Sequence, residues 1–461
     1  MKTNAAVFKM NQQRLLNIVA LVFLLVAIFI SVKNYYNPLI YGLKNTPFGV
    51  KAYNNFVIFK NSFQHLLDQK QLFHPYRPEQ YDVFKYSPTF ALFFGLFSWG
   101  SDLIGLILWN SLNLLLPLYA LQRIWNHFKK PNNKQFYFLV LMLLLESTTS
   151  ALNSQSNGLM LGLMLLTVVA IQKNQYSRAI VFIALSAFIK VFGLVLFGLF
   201  LIKPGIFEWK KLLFSTIIVF TLLFLIPLMV VDLNYLIKQY QEWMLLLKND
   251  SSFFVKYSVM GWMMSWFSIT PNKTLILVLG LIVQFMPIIY NLVRNSKQHS
   301  HLINRGSSTH SSSPSISNEF SEVNFSINPE FSRSKQRKFS FYLSHFPKTF
   351  LEVWAFSWIV WVVIFNHMAE SATFIIAVGG IVAFLRLIPE WSKWIHIQIV
   401  LLFVFTILGP TDIYPPTWRF WIVDTAQLKV FPVILFWGTM ILHLFHCPWR
   451  IDFPLQGKTQ I

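Results

Sequence analysis

Long apolar runs alternate with short basic connections from one end of this chain to the other. A membrane-crossing helix needs about 20 apolar residues, and somewhat fewer in a crowded bundle. Runs that meet this fall at 13–31, 102–123, 135–150, 155–172, 178–190, 191–203, 211–231, 272–294, 349–364, 371–387, 391–410 and 429–446. The pair at 178–203 reads either as one long helix or as two short ones hinged near Lys190 and Gly193. The pattern predicts an all-α polytopic transmembrane bundle of about 12 spans. The first run follows Lys2, Lys9 and Arg14 and lacks a small-x-small cleavage site after it. It is expected to be an uncleaved span with the N-terminus inside.

Basic residues in short loops fix orientation. The loops 123–134, 172–178, 203–211 and 386–393 carry Arg123, Lys129, Lys130, Lys134, Lys173, Arg178, Lys203, Lys210, Lys211, Arg386 and Lys393. The opposite short segments carry Lys190, Arg419 and Lys429. Eleven against three predicts both termini in the cytoplasm.

Three connections are too long for turns. The first, 32–101, is expected outside. In "YNNFVIFKNSFQHLL", Phe56, Phe59, Phe63 and Leu66 recur at helical spacing beside Lys60, Asn61 and Gln64, as in an amphipathic helix at a membrane interface. The apolar run after Pro88 is only about twelve residues long and suits an interfacial or re-entrant helix. The second, 232–271, is also expected outside, with Tyr240, Trp243, Met244 and Leu247 forming another interfacial stripe. The third, 295–348, is Ser-rich and basic, and reads as a cytoplasmic disordered linker. It separates an N-terminal bundle, 1–294, from C-terminal helices, 349–461.

Composition agrees with lipid as the solvent. Of 461 residues, 55% are hydrophobic and only 12% charged, where a soluble chain carries about a quarter. The net charge of +20 is spread through loops with no nucleic-acid motif, so no nucleic-acid partner is expected. One cysteine, Cys447, excludes an intrachain disulfide and a Cys-rich metal site. No metal or cofactor is expected.

Ionisable groups at membrane depth are costly and tend to mark function. Under this topology they gather on the outer side: Asp82, Lys85 and Tyr86; Glu146; Asn153, Gln155 and Asn157 in "NSQSN"; Lys190; Lys248, Asp250 and Lys256; and Asn366, His367 and Glu370 in "FNHMAES". Each has a plainer reading, as a helix cap, a turn-satisfying amide or an interfacial ion pair. Lys190, in an apolar run, requires an anionic partner, either Glu146 or a ligand phosphate. Their convergence on one side favours a pocket that binds phosphate through lysines and sugar hydroxyls through amides and carboxylates.

These features resemble the GT-C glycosyltransferases, and most closely glycosyltransferase family 87, the polyprenyl-phosphate-mannose-dependent mannosyltransferase type. The likeness rests on the first span, the long outer loop, "KYSPTF", "NSQSNGLMLGLMLL" as a polar "GQ-x-N" helix opening, "SAFIKVFGLVLF" as a "K-x-x-P" segment with Gly193 in place of Pro, and the late outer "FNHMAESATF". The resemblance implies an inverting transfer of a sugar from a polyprenyl-phosphate donor to a glycan or glycolipid acceptor. The reaction would occur on the outer face of a plasma or inner membrane, with an acidic base early in the first outer loop. This chain departs from the pattern there. Asn54 or Asn55 occupies the place, and an amide cannot take the proton. Asp82, Glu370 and Asp250 are the candidate replacements, with His367 as a further catalytic candidate. The alternatives to a transferase are a transporter or flippase of an anionic lipid or solute, and a catalytically inactive relative.

Overall fold

The computed structural model describes residues 2–37, 51–77, 79–80, 82–125, 133–202, 209–249, 255, 257–308 and 348–446. Asp250, Lys256, Cys447 and the basic Ser-rich stretch 309–347 lie outside the described residues.

Among the described residues the chain is all α-helical. In order, the helices are α1 (Lys2–Tyr36), α2 (Asn54–Leu67), α3 (Pro88–Phe94), α4 (Asp102–Trp125), α5 (Asn133–Leu152), α6 (Asn157–Gln172), α7 (Tyr176–Ile189), α8 (Leu199–Ile202), α9 (Trp209–Leu225), α10 (Leu233–Asn249), α11 (Val259–Phe267), α12 (Lys273–Ser308), α13 (Lys348–Ile364), α14 (Phe374–Leu387), α15 (Lys393–Leu401), α16 (Pro416–Phe420) and α17 (Phe431–His446). Helical structure stands at each of the apolar runs named above. Among the described residues, five helices are long and apolar enough to cross a membrane: Arg14–Tyr36, Asp102–Trp125, Lys134–Leu152, Lys210–Met229 and Lys273–Arg294. The Lys210–Met229 helix buries only 6% of its most apolar window inside the protein. Leu213, Phe214, Ile217 and Leu222 point outward from it. Apolar surface on that scale is satisfied by lipid, and the chain is a membrane protein.

Burial sorts the helices into a centre and a rim. A helix that is apolar on every side belongs inside, and α6 and α14 are buried along almost their whole length. Helix α4 packs on α6, and their backbones approach closely at Gly158. A Cβ there would stand 2.1 Å from the Asn113 carbonyl oxygen. The Asn113 side chain uses the same approach to accept from the Leu159 backbone N–H at 2.8 Å.

The run at 178–203 is two pieces. Helix α7 stops at Lys190, whose backbone is extended (φ −141°, ψ 135°). A 3-10 segment, Val191–Gly198, follows and folds back on α7. Gly193 permits that contact, since a Cβ there would fall 1.6 Å from Ser186 Oγ.

The first long connection carries the two helices its pattern predicts. The stripe of α2 packs on protein. Phe56 and Phe59 are fully buried, with ring centroids 5.4 Å from Phe94 and 5.8 Å from Trp109 respectively. Helix α3 is short; Ser87 caps it by accepting from Phe90 N at 3.1 Å, with Pro88 in its first turn. Helix α10 buries Leu236, Gln239, Tyr240 and Trp243 and leaves Met244 and Leu247 exposed.

Overpacking a tight helix contact costs about 1–3 kcal/mol. Gly158→Ala is therefore expected to lower the thermal unfolding temperature in detergent. An unchanged melting curve would show that α4 and α6 have room to spare.

Candidate active site

The site begins at the turn between α5 and α6. Ser154 adopts a left-handed conformation (φ 49°), and its carbonyl accepts from Trp109 Nε1 at 2.9 Å. The Asn153 carbonyl accepts from Asn55 Nδ2 at 2.8 Å, and the Leu152 carbonyl from Asn34 Nδ2 at 2.9 Å. Helices α1, α2 and α4 thus hold one turn in place. The turn presents Gln155, Ser156 and Asn157 as consecutive buried polar side chains.

From this turn a continuous polar chain crosses the bundle end. Gln155 Nε2 donates to Glu370 Oε2 at 2.6 Å. Asn157 Nδ2 donates to Gln155 Oε1 at 2.5 Å and to the Ala372 carbonyl at 2.9 Å. Asn157 Oδ1 accepts from Lys190 Nζ at 2.8 Å. The Lys190 ammonium lies 5.7 Å from the ring centroid of Tyr86 and 5.8 Å from that of Phe192, within cation–π range. Ser156 Oγ donates to the Tyr86 hydroxyl at 3.5 Å. The chain joins the first turns of α6 and α14 to the last turn of α7, so these helix ends lie together. The sequence-predicted residues Tyr86, Gln155, Asn157, Lys190 and Glu370 meet here.

Glu370 is held as well as reached. It opens the short turn Ser371–Thr373, where its carboxylate accepts from the Thr373 backbone N–H. Its own N–H donates to Thr373 Oγ1 at 3.2 Å. Asn366 and His367 sit half-buried at the same corner, and Asn366 Oδ1 accepts from Met368 N at 3.0 Å.

Lys190 has a neutral partner. Among the described residues no carboxylate pairs with it. The acid considered for that role, Glu146, is fully buried against the fully buried Lys429, with Nζ donating to Oε1 at 3.0 Å. Glu146 therefore belongs to a separate internal ion pair.

Other candidates stand apart from the chain. Asp82 is exposed, and its carboxylate accepts from the Val83 backbone N–H at 2.8 Å. Lys248 is exposed on the last turn of α10. Asn54 starts α2. Asn153 turns its amide back to the Thr149 carbonyl at 2.8 Å. Lys85 contributes its carbonyl, which accepts from Trp243 Nε1 at 3.2 Å and ties the second long connection to the first.

The sequence pattern did not single out Tyr257 and Asp424. Tyr257 N donates to the Ala369 carbonyl at 3.2 Å, and its hydroxyl donates to Asp424 Oδ1. Burial holds the Tyr257 phenol above its ordinary pKa, reinforced by the hydrogen bond to Asp424 and by the charges of Asp424 and Glu370. The phenol therefore stays protonated across the physiological range. The signal available in sequence was the lone acid in the apolar stretch "WIVDTAQLKV".

Residues 84–302 match the family model described as glycosyltransferase family 87. Nothing among curated proteins matches the chain. The matched segment holds Tyr86, the α5–α6 turn, Lys190 and Tyr257, while Glu370 and Asp424 lie beyond it.

Removing one partner of a buried ion pair costs about 3–5 kcal/mol, whereas replacing both with apolar groups is often neutral. Lys429→Met is expected to destabilise the protein on that scale, and Glu146→Leu with Lys429→Met to recover most of the loss in a thermal melt. A single variant as stable as the parent would contradict the pairing.

Proposed function

We propose that this glycosyltransferase, whose residues 84–302 match the family 87 model, takes its sugar from a polyprenyl-phosphate donor and passes it to a hydroxyl of a glycan or glycolipid acceptor. On this reading it is a multi-pass protein of the cell envelope working on the outer face of its membrane, and mannose is the sugar the family resemblance favours. The observation that carries the reading is the polar chain from Lys190 to Glu370, a cation with no carboxylate partner among the described residues, joined through two amides to a fixed carboxylate.

A half-buried ammonium whose hydrogen-bond partner among the described residues is a neutral amide oxygen leaves its charge available to a phosphate. Lys190 takes the donor phosphate there, with Tyr86 and Phe192 against its flanks. Asn157 and Gln155 set the spacing between that phosphate and Glu370, which is the form in which positioning contributes to rate. The acceptor oxygen attacks the anomeric carbon from the face opposite the phosphate. The bond from that carbon to the phosphate oxygen breaks, and its electron pair leaves with the polyprenyl phosphate. The acceptor proton passes to the Glu370 carboxylate. Lys190 stabilises the negative charge gathering on the leaving phosphate, and the anomeric configuration inverts.

Glu370 suits the base better than Asp82. Its carboxylate is part of the polar chain, whereas that of Asp82 is exposed and turned to its own backbone. The amides Asn54 and Asn55 need no proton-transfer role, since Asn55 secures the α5–α6 turn.

General-base catalysis contributes about 10²–10⁴-fold. With purified protein in lipid nanodiscs and a radiolabelled polyprenyl-phosphate sugar, Glu370→Gln is expected to lower kcat by about 10²-fold or more, and Lys190→Met to raise the donor KM. Asp82→Asn is expected to stay close to the parent. Full turnover in Glu370→Gln would remove Glu370 from the role of base.

A further inference from the structure

Tyr257 is the meeting point of three segments distant in sequence. Its backbone N–H reaches the Ala369 carbonyl beside Glu370, and its hydroxyl reaches Asp424. The segment bearing Asp424 is not a loose loop. Residues Trp421–Thr425 form a π-helical turn, a geometry that recurs at functional sites. Trp266 Nε1 donates to the Ala426 carbonyl at 2.7 Å. Trp262 stacks on Phe431 with centroids 5.7 Å apart. The Lys429 carbonyl accepts from Thr406 Oγ1 at 2.8 Å while its ammonium is bound to Glu146. So much anchoring around an exposed carboxylate fixes where that carboxylate stands.

We infer that Asp424, oriented by Tyr257, is a second carboxylate of the site that grips the acceptor sugar through a hydroxyl other than the one that reacts. This rests on the transferase reading above and adds the acceptor side to it. An ionised carboxylate offers about four acceptor positions, and the Tyr257 hydroxyl uses one. Asp424 is exposed, so the others face outward, where sugar hydroxyls donate. Tyr257 stays protonated and keeps donating, which leaves the carboxylate as the acceptor toward the sugar. The bond from Tyr257 to Ala369 ties this grip to the Glu370 corner, so a sugar held by Asp424 is presented to the base. Tyr257 acts as a positioning residue and Asp424 as an acceptor-specificity residue.

The test uses full-length protein in nanodiscs, a polyprenyl-phosphate sugar donor, and octyl mannoside with its monodeoxy analogues as probe acceptors. In the parent protein, one deoxy analogue is expected to raise the acceptor KM at least tenfold. Asp424→Asn is expected to raise the KM for the intact acceptor at least tenfold, to leave the donor KM within twofold, and to show no further loss with that analogue. Tyr257→Phe is expected to move the acceptor KM in the same direction by a smaller factor. The inference is overturned if Asp424→Asn leaves the acceptor KM unchanged, or if it weakens every acceptor by the same factor while each deoxy penalty persists, as a merely structural residue would. A parent protein that leaves the donor intact with every acceptor offered overturns the transferase reading itself, which is a separate failure.

Discussion

A single hydrogen bond, from the Lys190 ammonium to the Asn157 side-chain oxygen, organises the candidate site. A cation in a largely apolar region is costly unless it is compensated. Here the described residues compensate it with a neutral amide and two aromatic faces rather than a carboxylate. On the proposed reading, that arrangement leaves an anionic ligand to complete the site. It also dictates local structure. Helix α7 must end at Lys190 for the side chain to turn toward α6, and the extended backbone at that residue does so. Asn157 must sit at the start of α6 facing inward, and the anchored α5–α6 turn places it there.

Support for the site runs outward in layers. Asn34, Asn55 and Trp109 bond the carbonyls of the α5–α6 turn. The close approach at Gly158 seats α6 against α4. The Glu146–Lys429 pair ties α5 to the segment that carries Asp424. A buried ion pair is weak evidence for stability in itself, but it fixes one geometry for two elements far apart in sequence. The outcome is that two carboxylates, Glu370 and Asp424, reach the same region from different parts of the chain, with Tyr257 bonded to Asp424 and to Ala369, the residue before Glu370.

Much of this was legible in the chain because lipid imposes a strict grammar. Apolar runs gave the helices, and the isolated Lys190 and the cluster "NSQSN" advertised themselves as polar groups in apolar surroundings. The hinge at 190–193 was one of two readings, and the extended backbone at Lys190 decides between them. Partner choice was not legible. Glu146 pairs with Lys429, 283 residues away in sequence, and no local pattern encodes that. Likewise the stripe on α2 has an amphipathic period, but periodicity cannot say whether Phe56 and Phe59 meet lipid or the rings of Phe94 and Trp109. Asp424 and Tyr257 escaped notice because each is unremarkable in its own segment and acquires meaning only when helix packing brings 257, 369 and 424 together.

The central claim is that Lys190 and Glu370 face one donor molecule from its two ends. Cryo-electron microscopy of the protein with a non-hydrolysable polyprenyl-phosphonate sugar tests it most directly. The account predicts the phosphonate oxygens at charge-assisted hydrogen-bond distance from Lys190 Nζ, about 2.7–2.9 Å, with the anomeric carbon on the Glu370 side. A phosphonate bound away from Lys190, or an anomeric carbon presented to Asp82, would contradict it.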